Sequence, residues 1–240
     1  MAQITSREEL HVWLKDKPAD WAQVIAARAA LRVLPSAFVH DGNDSDKWMK
    51  ASAIAFFRAV ALPLIVHDFP ARDMSEQVGR AAKHFAKISA HSLASHAIGF
   101  VLETLITTEI MTGGKFQNTT SFAWAAINAE TQILGADPNR VWLNVTEDCN
   151  WLESDDDPDT AVSRLRNYNL IEQLGFDGVG EWASASKHLY NLDPTYEVWL
   201  KLYDRRISGE VSAFDIPGDT DCTYDKAILA RLADATDEDF

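Results

Sequence analysis

Apolar residues recur at the three- to four-residue spacing of α-helices along nearly the whole chain, and the strict alternation of β-strands is scarce. The first such segment follows Ser6, where serine and Glu9 three residues later form the capping-box signature of a helix start. A second segment has alanines between larger residues at helical spacing, namely Trp21, Val24, Ile25, Arg28, Leu31 and Arg32. Pro35 is expected to end it. The pattern predicts an all-α protein.

Three Asp-Pro dipeptides mark further helix starts, at Asp137, Asp157 and Asp193. Aspartate caps a helix well, and proline suits the first helical position because no N–H is needed there. A Val-Trp-Leu triplet follows two of these dipeptides, at Val141 and Val198. The triplets permit a repeated helical hairpin, but their offsets from proline differ by one residue. Two independently capped helices are the simpler interpretation.

We predict about ten helices, arranged as one multi-helix bundle or as two abutting helical subdomains. The acidic run from Glu153 to Asp159 is the natural boundary. It would separate a near-neutral helical core, residues 1–152, from an acidic helical part, residues 153–240. Alternatively, the two parts form one continuous domain, because 240 residues suit either arrangement.

Charge is divided unevenly between these two parts. Residues 1–152 hold 14 Lys and Arg against 16 Asp and Glu, whereas residues 153–240 hold 8 against 20. The parts therefore carry −2 and −12 of the total charge of −14. Such a surplus repels nucleic acid and acidic membranes and attracts basic partners. Direct nucleic-acid binding is therefore not expected.

The leading functional hypothesis is a non-enzymatic protein-interaction module, such as an adaptor, inhibitor or immunity-type protein. Its acidic C-terminal surface would bind a partner with a basic surface. The eight tryptophans support this hypothesis because tryptophan often anchors interfaces. The residues expected at the interface are acidic or aromatic: Asp155, Asp156, Asp157, Asp159, Trp151 and Trp199. No cofactor is expected. A structural subunit of a larger assembly is an alternative.

A second alternative is an enzyme. His67-Asp68, with His40 upstream in an all-helical chain, resembles the metal-binding set of HD-type phosphohydrolases. The resemblance implies a divalent metal that activates water for phosphoester hydrolysis, with His67 and Asp68 in the catalytic centre. The chain departs from the family pattern because Phe69-Pro70 follows the pair and would end its helix.

Other metal or nucleophilic sites have less support. His96 and Glu103 are seven residues apart, so they share a face if one helix contains both. Asp155, Asp157 and Asp159 alternate as in a calcium loop, but the required Gly and Glu are replaced by Thr160 and Arg166. Cys149 lacks a nucleophile signature, and the adjacent Asp148 would raise the pKa of its thiol.

The sequence favours a cytoplasmic location. Its first residues lack the basic and apolar segments of a secretory signal. The longest apolar stretch, Ala51 to Val66, contains Arg58 and is shorter than the roughly 20 residues of a membrane span.

Overall fold

The structure is a computed structural model that describes residues 2–38, 46, 49–50, 53–54, 56–57, 123–128, 130–131, 138–154, 157–167 and 169–208. Its complete α-helices are α1 (Arg7–Leu14), α2 (Ala19–Ala37), α3 (Pro138–Glu153), α4 (Pro158–Asn167), α5 (Ile171–Leu192) and α6 (Glu197–Ser208). A 3-10 turn, Pro194–Tyr196, precedes α6. None of these described residues lies in a strand, which confirms the all-α prediction. The predicted count of about ten helices is not confirmed.

The first helix begins as the capping box predicts. The Ser6 hydroxyl accepts a hydrogen bond from the Glu9 backbone N–H at 3.3 Å. The Glu9 carboxylate accepts bonds from the hydroxyl and the backbone N–H of Thr5, at 2.8 and 2.7 Å. Both bonds lower the pKa of Glu9, and the bond from the Thr5 hydroxyl has the larger effect. The Glu9 side chain therefore bonds back to Thr5, the residue before the cap, and this bond stabilises the first turn of the helix.

Helical segments begin at the proline of each Asp-Pro dipeptide, and the predicted aspartate cap is observed for Asp157 and Asp193, whereas Asp137 lies outside the described residues. α3 and α4 start at Pro138 and Pro158, and Asp157 accepts a bond from the Thr160 backbone N–H at 3.3 Å. Asp193 accepts one from the Thr195 N–H at 2.9 Å. That last cap begins the 3-10 turn, and α6 continues from it.

The prediction that Pro35 ends the second helix is wrong by two residues. α2 continues to Ala37, with Pro35 inside its last turn. Proline removes only its own N–H, and the bond from the Phe38 N–H to the Pro35 carbonyl, at 3.1 Å, closes the helix after it.

α2 is the central helix of the described bundle. All of its side chains from Trp21 to Pro35 are buried, so it has no solvent-facing stripe. It packs against α1, α3, α4 and α5. One contiguous core joins residues on both sides of the predicted 152/153 boundary, including Val145 of α3 and Leu165 of α4. Within the described ranges, no helix is both long and apolar enough to span a bilayer.

An aromatic cluster connects the C-terminal end of α2 to α5 and α6. Phe57 lies at its centre, with ring centroids 5.4 Å from Phe38, 5.9 Å from Trp199 and 5.3 Å from Tyr203. The Tyr203 hydroxyl donates a 2.7 Å bond to the Phe57 carbonyl, and both groups are buried. Trp182 packs edge-on against Tyr203. Aromatic packing thus fixes where α6 lies on the core.

We expect Tyr203→Phe to lower the free energy of unfolding by about 1–2 kcal/mol, because the buried Phe57 carbonyl loses its donor. Urea denaturation measures the change. Tyr190→Phe is the matched control, since Tyr190 is 45% exposed, and it should change stability by less than about 0.5 kcal/mol. Equal denaturation midpoints for the two variants would show that the Tyr203 bond contributes nothing.

Candidate functional site

Two buried arginines one helical turn apart on α2 form the polar centre of the core. The Arg28 side chain is fully buried. Its Nε donates to Asp148 of α3 at 2.9 Å, and its Nη1 donates to the Leu165 carbonyl of α4 at 2.8 Å. Its Nη2 donates to the Gln173 side chain of α5 at 3.0 Å. One guanidinium therefore connects four helices.

Arg32 completes this network. Its Nε and Nη2 donate to the two carboxylate oxygens of Glu130, at 2.5 and 2.9 Å, in a bidentate pair. Its Nη1 donates to Asp148 at 3.0 Å and to the Gln173 side-chain oxygen at 3.1 Å. The Gln173 amide nitrogen in turn donates to Asp148 at 3.1 Å. We call Arg28, Arg32, Glu130, Asp148 and Gln173 the buried network.

The formal charges of the buried network cancel, because two guanidiniums face two carboxylates. Burial lowers the pKa of Arg28 more than Asp148 raises it. Burial also acts to lower the pKa of Arg32, but the Glu130 and Asp148 carboxylates outweigh it, and that pKa is raised. Both arginines are treated as cations, because the guanidinium group is not deprotonated in proteins. The carboxylates are engaged by arginine, which favours a structural role over acid–base catalysis.

Cys149 lies beside this network and is fully buried. Burial, followed by the charge of Asp148, raises the pKa of its thiol well above the ordinary value. This confirms the direction expected from the sequence. Because the thiolate is the nucleophile, the environment makes Cys149 an inert core residue.

The structure describes only some of the residues that the sequence predicted as catalytic, metal-binding or interaction residues. His40, His67, Asp68, His96 and Glu103 lie outside the described residues, as do Asp155 and Asp156. In the described part of the chain, no group of three or more His, Cys, Asp or Glu side chains is placed to hold a metal.

The remaining predicted interaction residues have different positions. Asp157 is exposed and caps α4. Asp159 belongs to α4, and its side chain lies outside the described part of the chain. Trp199 was expected at a surface but is only 2% exposed, because its ring stacks on Phe57 in the aromatic cluster. Trp151 is partly exposed on the outer face of α3.

Trp151 lines a groove of about 490 Å³ along that outer face. We call this groove the α3 groove, and the described residues that line it are Leu143, Thr146, Glu147, Asn150, Trp151 and Ser154. Leu143 is 67% exposed. The Asn150 side-chain oxygen is shielded from water and has no hydrogen-bond partner. A shielded acceptor without a donor costs about 1–3 kcal/mol of stability.

Contacts with the N-terminal segment hold the groove in place at both ends. The Thr146 hydroxyl accepts a bond from the Ile4 N–H at 3.0 Å and donates to the Ile4 carbonyl at 2.8 Å. At the other end, Glu153 accepts bonds from the Trp13 indole and the Lys17 ammonium, both at 2.8 Å. The Lys17 bond, more than the Trp13 bond, lowers the pKa of Glu153. These contacts fasten α3 to the N-terminal segment.

The sequence contained a signal for the buried network that periodicity alone did not use. Arg28 and Arg32 are four residues apart in a segment otherwise made of alanine and large apolar residues. A segment of that composition is buried on all sides, and a buried arginine requires an acidic partner. The partners themselves could not be identified, because Glu130 and Asp148 are about 100 or more residues away in the chain.

Comparison with known proteins assigns no family. No protein-family model, no curated protein and no solved structure matches this chain. The functional proposal therefore depends on the geometry and charge of the described residues.

We expect Asp148→Asn to lower the free energy of unfolding by about 3–5 kcal/mol, because it leaves the two buried guanidiniums with one carboxylate. Thermal and urea denaturation measure the loss. The control is Asp16→Asn at an exposed position after α1, which should be neutral within about 0.5 kcal/mol. A loss below about 1 kcal/mol for Asp148→Asn would contradict a structural role for the network.

We expect the Cys149 thiol to resist alkylation while the protein is folded. In a Cys222→Ser background, iodoacetamide at pH 8 should leave the folded protein unmodified and modify it fully in urea, because folding both buries the thiol and raises its pKa. Intact mass spectrometry follows the reaction. Rapid alkylation of the folded protein would restore Cys149 as a candidate nucleophile.

Proposed function

We propose that this protein is a non-enzymatic protein-interaction module whose acidic C-terminal surface binds a partner with a basic surface. The charge balance of the core is the observation that carries the proposal. The buried network sums to zero, so the whole net charge of −14 belongs to the rest of the chain. Most of it, −12, belongs to residues 153–240.

The physical consequence is a long-range field around the C-terminal part. Opposite charge speeds the encounter of two proteins and orients them before contact, and like charge excludes wrong partners. Acidic side chains that are exposed in this part include Asp157, Glu181, Glu197 and Asp204. The negative charge of some of them is partly neutralised: the Lys201 Nζ lies 2.7 Å from the Glu197 carboxylate. A basic partner is the class of ligand that this surplus favours.

The chemistry of the core supports the same proposal. The carboxylates and guanidiniums that the described structure buries are hydrogen-bonded to each other, and the buried thiol is held protonated. Groups committed in this way stabilise a fold but are poorly placed to act on a substrate. We therefore place the proposed function at the protein surface.

The test is capture of partners from native lysate by the tagged full-length protein, at low and at high salt, with identification by mass spectrometry. We expect a basic protein that is retained at low salt and released at high salt, because ions screen charges beyond about 10 Å at 0.1 M. A partner retained equally at both salt concentrations would contradict the electrostatic proposal, as would the absence of any partner.

A charge-matched pair of variants locates the effect. Asp155→Asn with Asp156→Asn should weaken binding of the captured partner on the order of two- to tenfold, mainly through slower association. The control, Glu8→Gln with Asp16→Asn, removes the same number of charges at exposed positions near the N-terminus. Equal loss in both variants would show that only total charge matters, and that residues 153–240 are not the binding surface.

A further inference from the structure

We propose that Trp13, Trp21 and Glu153 form a binding site for an alkylammonium group, and that a lysine side chain of the partner is the group that it binds. We call these three residues the cation cage. In the structure, the ammonium group of Lys17 from the same chain occupies the cage. The inference rests on the proposed function, because it names the chemical group by which a basic partner would be held.

The two tryptophan rings form the walls of the cation cage. Their centroids are 5.3 Å apart, and their planes are tilted by 33°. The Lys17 nitrogen lies over both rings, 5.2 Å from the Trp13 centroid and 5.0 Å from the Trp21 centroid. Both distances are within the roughly 6 Å at which the negative face of an aromatic ring attracts a cation. Both walls therefore contact the same ammonium group.

Glu153 adds a negative charge to the two aromatic faces. Its Oε1 is 2.8 Å from the Lys17 nitrogen. The same oxygen accepts a hydrogen bond from the Trp13 indole N–H at 2.8 Å, which orients the carboxylate relative to one wall. Trp21 is held by burial, since only 5% of it is exposed. The two rings and the carboxylate thus all favour positive charge at one point.

The cation cage lies at the protein surface, where a ligand can reach it. The side chains of Lys17 and Glu153 are 27% and 28% exposed. Lys17 belongs to the short connection between α1 and α2, and its four-carbon stem is flexible. A solvent-exposed ion pair changes an equilibrium by about fivefold or less, because water competes for both charges. Lys17 is therefore a resident cation that another ammonium group can replace.

Charge selects the class of ligand. An anionic group would meet the Glu153 carboxylate and the negative faces of two rings, and a neutral group that displaced Lys17 would leave Glu153 without its counter-charge. When another ammonium group replaces Lys17, Glu153 stays neutralised throughout the exchange. Lysine side chains are the source of such groups on a basic protein, so the cage and the acidic surplus of the chain favour the same partner.

The test uses tetramethylammonium chloride as the probe. Its binding to the full-length protein is followed by NMR through the indole N–H signals of Trp13 and Trp21, which Trp13→Phe and Trp21→Phe assign. We expect saturable shifts of both signals that sodium chloride at the same concentration does not produce. Lys17→Ala should tighten binding of the probe on the order of tenfold, because the variant removes the competing resident cation.

Lys15→Ala is the matched control. Lys15 is exposed and lies two residues before Lys17. Each variant removes one positive charge from the same region, so each increases the general attraction for cations alike, but only Lys17→Ala empties the cage. Lys15→Ala should keep binding of the probe within about twofold of the unchanged protein. Circular dichroism and urea denaturation verify folding, and Lys17→Gln, which keeps most of the side-chain length, is a second variant with the same expectation.

Three results would overturn the proposal. The first is the absence of saturable shifts in the Lys17 variants, which would show that the cage does not bind an alkylammonium ion. The second is equal tightening by Lys17→Ala and Lys15→Ala, which would show an effect of total charge alone. The third is saturation in the Lys17 variants with none in the unchanged protein, which would show that Lys17 cannot be replaced.

Competition with the captured partner separates this inference from the proposed function. The partner should bind Lys17→Ala more tightly than Lys15→Ala, and tetramethylammonium chloride should displace it at a lower concentration than sodium chloride does. If the partner binds the two variants equally and both salts displace it equally, the cage is not its docking point, whereas the proposed function stands. If no salt-sensitive partner is captured, the proposed function fails, and the NMR titration alone decides whether the cage binds alkylammonium ions.

Discussion

The fold depends on the need to neutralise two guanidinium groups inside an otherwise apolar core. Arg28 and Arg32 lie on the central helix, where no water can solvate them. An unpaired charge in such a place costs several kcal/mol, so each must meet acceptors of suitable geometry. Those acceptors come from α3, α4, α5 and the helical residues around Glu130. Since the hydrogen bonds are directional, they restrict how these helices lie around α2 in a way that apolar packing alone would not.

The aromatic cluster complements this constraint at the other end of α2. Rings pack well in several geometries and tolerate small shifts, whereas bidentate arginine pairs do not. The cluster supplies buried area and joins α6 to the core through Tyr203 and Trp199. The buried network determines the arrangement of the central helices. The aromatic cluster and the buried network together account for one continuous core on both sides of the predicted 152/153 boundary.

α3 has one face in the buried network and another at the protein surface. Its inner face places Asp148 between the two arginines, and its outer face carries Leu143, Asn150 and Trp151. The ion pairs of Asp148 with Arg28 and Arg32 therefore help to fix the position of α3. Because the charges of the buried network cancel, the acidic surplus belongs to residues outside the network.

Local sequence determined the helical class and most helix starts. Apolar spacing, the Ser6 cap and the Asp-Pro dipeptides act over one or two turns, so they can be identified without tertiary contacts. Burial of individual side chains could not be determined in this way. The leucine of the Val-Trp-Leu triplet is 67% exposed at Leu143 but only 6% exposed at Leu200, because the two helices pack against different neighbours. The partners of Arg28 and Arg32, and the groove that α3 presents, likewise depended on contacts between residues distant in the chain, and only the tertiary structure decided them.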